Sequence, residues 1–104
     1  MTFPLAESAT ELHAAHLMGI NAAQLLDRGQ KAIKELSMAK SFAVQVSARA
    51  IDRAMQTYGA RGFTNELGLS DAYNTVRTIN VADGTNEILK RTIFKQLEKG
   101  DLEL

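Results

Sequence analysis

Apolar positions recur at helical spacing over most of the chain, and no run alternates with period two, so the pattern predicts helices and no strand. The first helix is expected from about Leu5 to Asp27, with Leu5, Leu12, Gly19 and Leu26 at seven-residue spacing and Ala9, Ala15 and Ala22 in the same stripe. Gly29 stands where a left-handed C-terminal cap would want it. A second long helix is expected from Lys31 to Tyr58, its seam formed by Leu36, Ala39, Ala43, Val46 and Ala50. That seam is Ala-rich, so a neighbouring helix can come close. A glycine-punctuated loop, Gly59 to Gly68, follows. Ser70 is placed to cap a short helix, Asp71 to Val81, with Ala72, Val76 and Ile79 on one face. Asp83-Gly84 breaks it. A last helix runs from Thr85 to Lys99, with Leu89, Ile93 and Leu97 on one stripe and Phe94 beside it. Gly100 ends it, and Asp101 to Leu104 reads as a frayed tail.

The fold class expected is all-α: an antiparallel helical bundle of two long and two shorter helices, forming one domain over residues 1–104. Its seams are richer than four such helices require, which points to a missing partner helix.

Composition narrows the function classes. The chain has 104 residues, with 12 Lys+Arg against 12 Asp+Glu, and this zero balance argues against a nucleic-acid binder. The absence of Cys excludes disulfides, thiolate metal sites and cysteine nucleophiles. No apolar run approaches the roughly 20 residues that span a bilayer. With no secretory pattern at the N-terminus, the expected compartment is the cytoplasm, or an organelle matrix after removal of a transit peptide.

Few residues suggest chemistry by spacing alone. His13 and His16 share a helix face without an acidic residue to complete a metal set, and read as rim or solvent-facing side chains. Arg49 and Arg53, with Asp52 between them, read as a solvated or ion-paired face. The segment Gln56-Thr57-Tyr58-Gly59-Ala60-Arg61-Gly62-Phe63 ends a helix in a turn bare of side-chain bulk. Such a turn can press against a planar or phosphorylated ligand, or be a plain cap and connector. Asp83-Gly84-Thr85-Asn86-Glu87 sets a carboxylate at a helix N-terminus, which can hold an anion or simply cap the helix.

Order and spacing say more than either motif. A long helix ending in Gln56-Thr-Tyr-Gly59-Ala60-Arg-Gly62-Phe63, then a short helix, then Ala82-Asp83-Gly84-Thr85-Asn86-Glu87-Ile88 opening a final helix, closely resembles the C-terminal domain of the acyl-CoA dehydrogenases. Ser37-Met-Ala-Lys-Ser-Phe-Ala43 resembles the family's Ala-Lys-x-Phe-Ala helix, and Asp27-Arg-Gly29 looks like the turn before it. The resemblance runs from about Leu5 to Ile93.

The resemblance implies a FAD-bound flavoenzyme that removes two hydrogens from an acyl-CoA thioester. It implies that Asp83 occupies the position of the catalytic base and that Gly84 lies beside the substrate thioester. It implies that Thr85, Asn86 and Glu87 meet the FAD, while Gln56, Thr57, Tyr58, Gly59 and Ala60 meet the adenosine diphosphate of a FAD held by a neighbouring subunit. Homo-oligomerisation through the bundle follows from the same resemblance, with no nucleic-acid or membrane partner expected. Three departures stand. Asp83 replaces the usual Glu and is one methylene shorter. Ala60 and Arg61 replace the usual second glycine and its neighbour. The family's N-terminal helical domain, central β domain and first bundle helix have no counterpart here, so the isolated chain is expected to be inactive and to bind FAD weakly or not at all. The alternative reading is a non-enzymatic helical oligomerisation module derived from that family.

Overall fold

The computed structural model describes residues 2–59, 68–82 and 86–102. It has four helices in chain order: α1 (Thr2–Asp27), α2 (Ile33–Tyr58), α3 (Leu69–Ala82) and α4 (Asn86–Glu98). No strand occurs among the described residues. The expected helices are therefore present: α1 and α2 end at Asp27 and Tyr58 as expected, and the other ends are displaced by one to three residues. α1 begins at Thr2 and takes in Pro4. A proline is tolerated there because the first-turn N–H groups have no partner within the helix.

Glycines set the helix ends as the sequence predicts. At Gly29, with φ +84°, the N–H donates to the Leu26 carbonyl at 2.9 Å and the Gln30 N–H donates to the Leu25 carbonyl at 3.0 Å. Gly100, with φ +97°, repeats the arrangement on Leu97 and Gln96. Both are left-handed C-terminal caps that satisfy the last carbonyls. The start of α3 differs from expectation. Ser70 lies inside the helix, and the first turn closes on Gly68 (φ +69°), whose carbonyl accepts from the Ala72 N–H. The glycine reaches the conformation needed to enter the helix without a side-chain cap.

α2 is the central element, and α1, α3 and α4 each pack chiefly against it. α1 and α2 form an antiparallel hairpin, since Glu7 and Glu11 near the start of α1 pair with Arg53 and Arg49 near the end of α2. α4 also runs antiparallel to α2, its C-terminal turn reaching Lys34 at the start of α2. The buried apolar core comprises Ala22, Ala32 and Val46 among the described residues. Val46, fully buried, belongs to the expected α2 seam, but Leu36 of that seam is exposed.

The expected stripe of α1 is corrected. Leu5, Ala9, Leu12, Gly19 and Leu26 are exposed, whereas Ala15 and Ala22 of the expected stripe do turn inward. The less exposed positions are Pro4, Ser8, Glu11, Ala14, Ala15, Met18, Ala22 and Leu25, which apart from Ala14 alternate spacings of four and three. α1 turns this partly polar stripe to α2 because Ser8 and Glu11 find Arg49 and Arg53 there. The leucines then stand on an outer surface. On α3 and α4 the inner stripes are Ala72 and Val76, and Leu89, Ile93 and Leu97, as expected; the side chain of Ile79 lies outside the described residues. Phe94, expected beside the α4 stripe, is 61% exposed.

Candidate functional site

α2 ends in a turn where Gln56, Thr57, Tyr58 and Gly59 are all exposed. The Thr57 hydroxyl donates back to the Arg53 carbonyl at 2.9 Å. Gly59 takes φ +63° and ψ −135°, its N–H donating to the Gln56 carbonyl. A Cβ there would meet nothing within 4 Å, so the turn is open and bare. Beside it lies a groove of about 220 Å³, lined by Pro4, Leu5 and Ser8 of α1 and by Ala50, Ala54 and Tyr58 of α2.

This end of α2 offers an amide, a hydroxyl, a phenol and unshielded backbone. That set of donors and acceptors can hydrogen-bond a polar ligand. A helix C-terminus carries partial negative charge, so phosphates would draw their donors from elsewhere.

The second motif is only partly visible. Asp83, Gly84 and Thr85 lie outside the described residues, as does Ala60 of the first motif. Asn86 is the first residue of α4, and Glu87 is exposed in its first turn, where a carboxylate complements the helix N-terminus. Among the described residues, Gln56 of the first motif and Glu87 of the second stand apart along α2. α4 has 13 residues and is held at its C-terminal end beside Lys34, so it spans about 20 Å. α2 has 26 residues and spans about 39 Å. Glu87 therefore stands partway along α2, well short of Gln56.

Between α1 and α2, upstream of the groove, sits a charge cluster. Arg49 donates to Glu11 Oε2 through Nε at 3.0 Å and Nη2 at 2.6 Å; Arg53 donates through Nη1 to Glu11 Oε1 at 2.6 Å and to Ser8 Oγ at 3.2 Å. Glu7 adds a contact to Arg53 at 3.3 Å. The hydrogen bonds from Arg49, and then from Arg53, hold the Glu11 carboxyl below its ordinary range. The arginine pair is thus an ion-paired face, one of the two readings its spacing allowed; its acidic partner, 38 residues away, carried no local signal. His13 and His16 are solvent-facing, as their isolation predicts.

A second pairing went unseen in the sequence. Lys34 is 1% exposed, and its Nζ donates to both the carbonyl and the Oδ1 of Asp101 at 3.0 Å. Glu35 lies 3.7 Å from the same ammonium. The expected frayed tail is therefore corrected at its first residue: Asp101 is anchored, because the cap at Gly100 turns it toward α2. Among the described residues no helix is long and apolar enough to cross a membrane.

Comparison with known proteins agrees with this fold. Residues 1–98 match the family model described as "Acyl-CoA dehydrogenase, C-terminal domain". The chain is 38% identical over 97 residues to a 3-(aryl)acrylate reductase of Clostridium sporogenes, covering 93% of this chain and 26% of that protein. It is 33% identical over 99 residues to the caffeyl-CoA reductase-Etf complex subunit CarC of Acetobacterium woodii, covering 95% and 26%. It is 35% identical over 100 residues to an acyl-CoA dehydrogenase of Bacillus subtilis, covering 96% and 26%. The solved FAD complex of PigA superposes with a TM-score of 0.88 at 26% identity, over 93% of this chain and 25% of that one. The chain spans about a quarter of the length of these relatives.

Proposed function

This chain belongs to the acyl-CoA dehydrogenase family, matching its C-terminal domain, and on that premise we propose that it serves as the C-terminal part of a FAD-dependent flavoprotein acting on the α and β carbons of an acyl-CoA thioester. The observation that carries the reading is the family match across residues 1–98, which takes in both motifs.

In this reading Asp83 accepts the proton from the α carbon. A hydride leaves the β carbon with the electron pair of its bond, and the electrons of the broken α C–H bond form the new double bond. The chemistry supplied by bound FAD is acceptance of that hydride. Gly84 leaves room beside the thioester. Thr85, Asn86 and Glu87 hold the cofactor, the last two from the start of α4. Gln56, Thr57, Tyr58, Gly59 and Ala60 hold the adenosine end of a cofactor belonging to a neighbouring subunit. The separation of Gln56 and Glu87 along α2 supports this division of labour between copies. A homo-oligomer follows. One chain by itself holds only part of a cofactor site and is not expected to turn over.

A second direction of reaction is favoured by the similarity to the two reductases. Run that way, a protonated Asp83 gives its proton to the α carbon of an α,β-unsaturated substrate while hydride is delivered to the β carbon.

The test uses the full-length flavoprotein under anaerobic conditions. Bleaching of the flavin absorbance by a saturated acyl-CoA supports the oxidation. Recolouring of the reduced flavin by an α,β-unsaturated acid or thioester, without such bleaching, supports the reduction. A protein that binds no flavin, or whose flavin responds to neither, contradicts the proposal.

A further inference from the structure

The apolar contact between α4 and α2 does not by itself define one axial position. Leu89, Ile93 and Leu97 form a stripe that repeats every four residues, so a slip by one turn presents a similar surface to α2. Apolar burial is non-directional and distinguishes such registers poorly. A buried charge distinguishes them sharply, because an ammonium removed from water is costly unless its partners are in place.

Lys34 is such a charge. It stands in the first turn of α2, 1% exposed, with both Asp101 acceptors at 3.0 Å. Asp101 reaches it only because Gly100, at φ +97°, reverses the chain and lets the Asp101 N–H bond the Gln96 carbonyl. The side-chain contact spans 67 residues of sequence. Moving α4 along α2 by one turn, about 5.4 Å, would carry both Asp101 acceptors out of hydrogen-bond reach of the ammonium.

We infer that the Lys34–Asp101 pair is a register lock, fixing the axial position of α4 on α2 and hence where Asn86 and Glu87, at the far end of α4, are presented. Buried polar pairs fix helix register in this way in other helical assemblies. The functional consequence rests on the proposed role of Asn86 and Glu87; the lock itself does not. Lys34 and Asp101 are positioning residues, remote from the reacting atoms.

The test exploits the absence of cysteine. Asp52→Cys on α2 and Lys95→Cys on α4, both exposed, carry a spin-label pair in the otherwise unchanged full chain. Double electron–electron resonance should give one narrow distance. Adding Lys34→Met keeps an unbranched side chain, one heavy atom shorter, and removes the charge. The distance should then broaden or shift by up to about one helical turn. A control pair, His13→Cys with Asp52→Cys across the α1–α2 hairpin, should not change. Should Lys34→Met fail to fold, Asp101→Ala, which spares the backbone acceptor, should show the same broadening to a smaller degree. A narrow, unshifted α2–α4 distance in a folded variant overturns the lock. These readouts need neither substrate nor flavin, so failure of the lock is distinguishable from failure of the proposed activity.

Discussion

Arg53 Nη1 lies 2.6 Å from Glu11 Oε1, and with Arg49 on the other carboxylate oxygen it makes Glu11 the polar keystone of the α1–α2 hairpin. An apolar stripe would have been the simpler interface. By placing Glu11 against α2, the chain fixes the rotation of α1 about its axis and sends Leu5, Leu12 and Leu26 outward.

The first prediction concerns pH. The two arginines hold the folded-state pKa of Glu11 below its ordinary value of 4.5. A depressed carboxyl pKa contributes stability that is fully present above the unfolded value and is lost as pH falls through the folded one. Glu11→Gln should therefore be less stable than the parent at neutral pH, and the gap should close as pH drops below 4.5. Urea denaturation of both proteins between neutral pH and acid checks this; a gap independent of pH would count against the pair.

Substitution at the glycine caps should act through the backbone alone. A Cβ at Gly29 would meet nothing within 4 Å, so no clash contributes. Gly29→Ala should cost about 1–2 kcal/mol, the left-handed penalty of an L residue. In a domain this small, each 1 kcal/mol lowers Tm by about 4–8 °C. Thermal unfolding followed by circular dichroism reads it directly.

Core and outer apolar residues should behave oppositely. Val46→Ala, at a fully buried position, should cost about 2 kcal/mol in denaturant titration. Leu12→Gln and Leu17→Gln, at exposed positions, should each change stability by less than about 0.5 kcal/mol.

The same leucines should govern self-association. Leu12 is 44% and Leu17 50% exposed, apolar surface on α1 that a second copy would cover. Light scattering over a range of concentrations should show an oligomer for the parent, and a shift toward monomer when Leu12 and Leu17 are both replaced by Gln. A parent that stays monomeric throughout would contradict this.

What the sequence made legible was local. Gly29 and Gly100 mark helix ends because a left-handed cap needs a glycine at one defined position, and the inner stripes of α3 and α4 follow from spacing. What it hid was non-local. Glu11 and Arg49 lie 38 residues apart, and Lys34 and Asp101 lie 67 apart. A lysine at the start of a helix reads as solvated until its partner is found. The leucine stripe of α1 misled for the same reason: periodicity shows that a face is apolar, not which neighbour it meets. Gly68 displaced the expected cap at Ser70 because its own backbone freedom suffices. Of the candidate site, the end of α2 is described as an open turn, while Ala60 and the residues from Asp83 to Thr85 lie outside the described residues.

The most direct test of the proposed activity is the turnover of an Asp83→Asn variant of the full-length flavoprotein with its CoA-thioester substrate. Asn keeps the size and most of the hydrogen-bonding capacity of Asp but cannot accept the α proton. If Asp83 is the base, the rate should fall by about 10²–10⁴-fold, with flavin content and folding retained because Asn also caps a helix N-terminus well. Near-normal turnover in that variant would contradict the assignment and leave Asp83 as a cap.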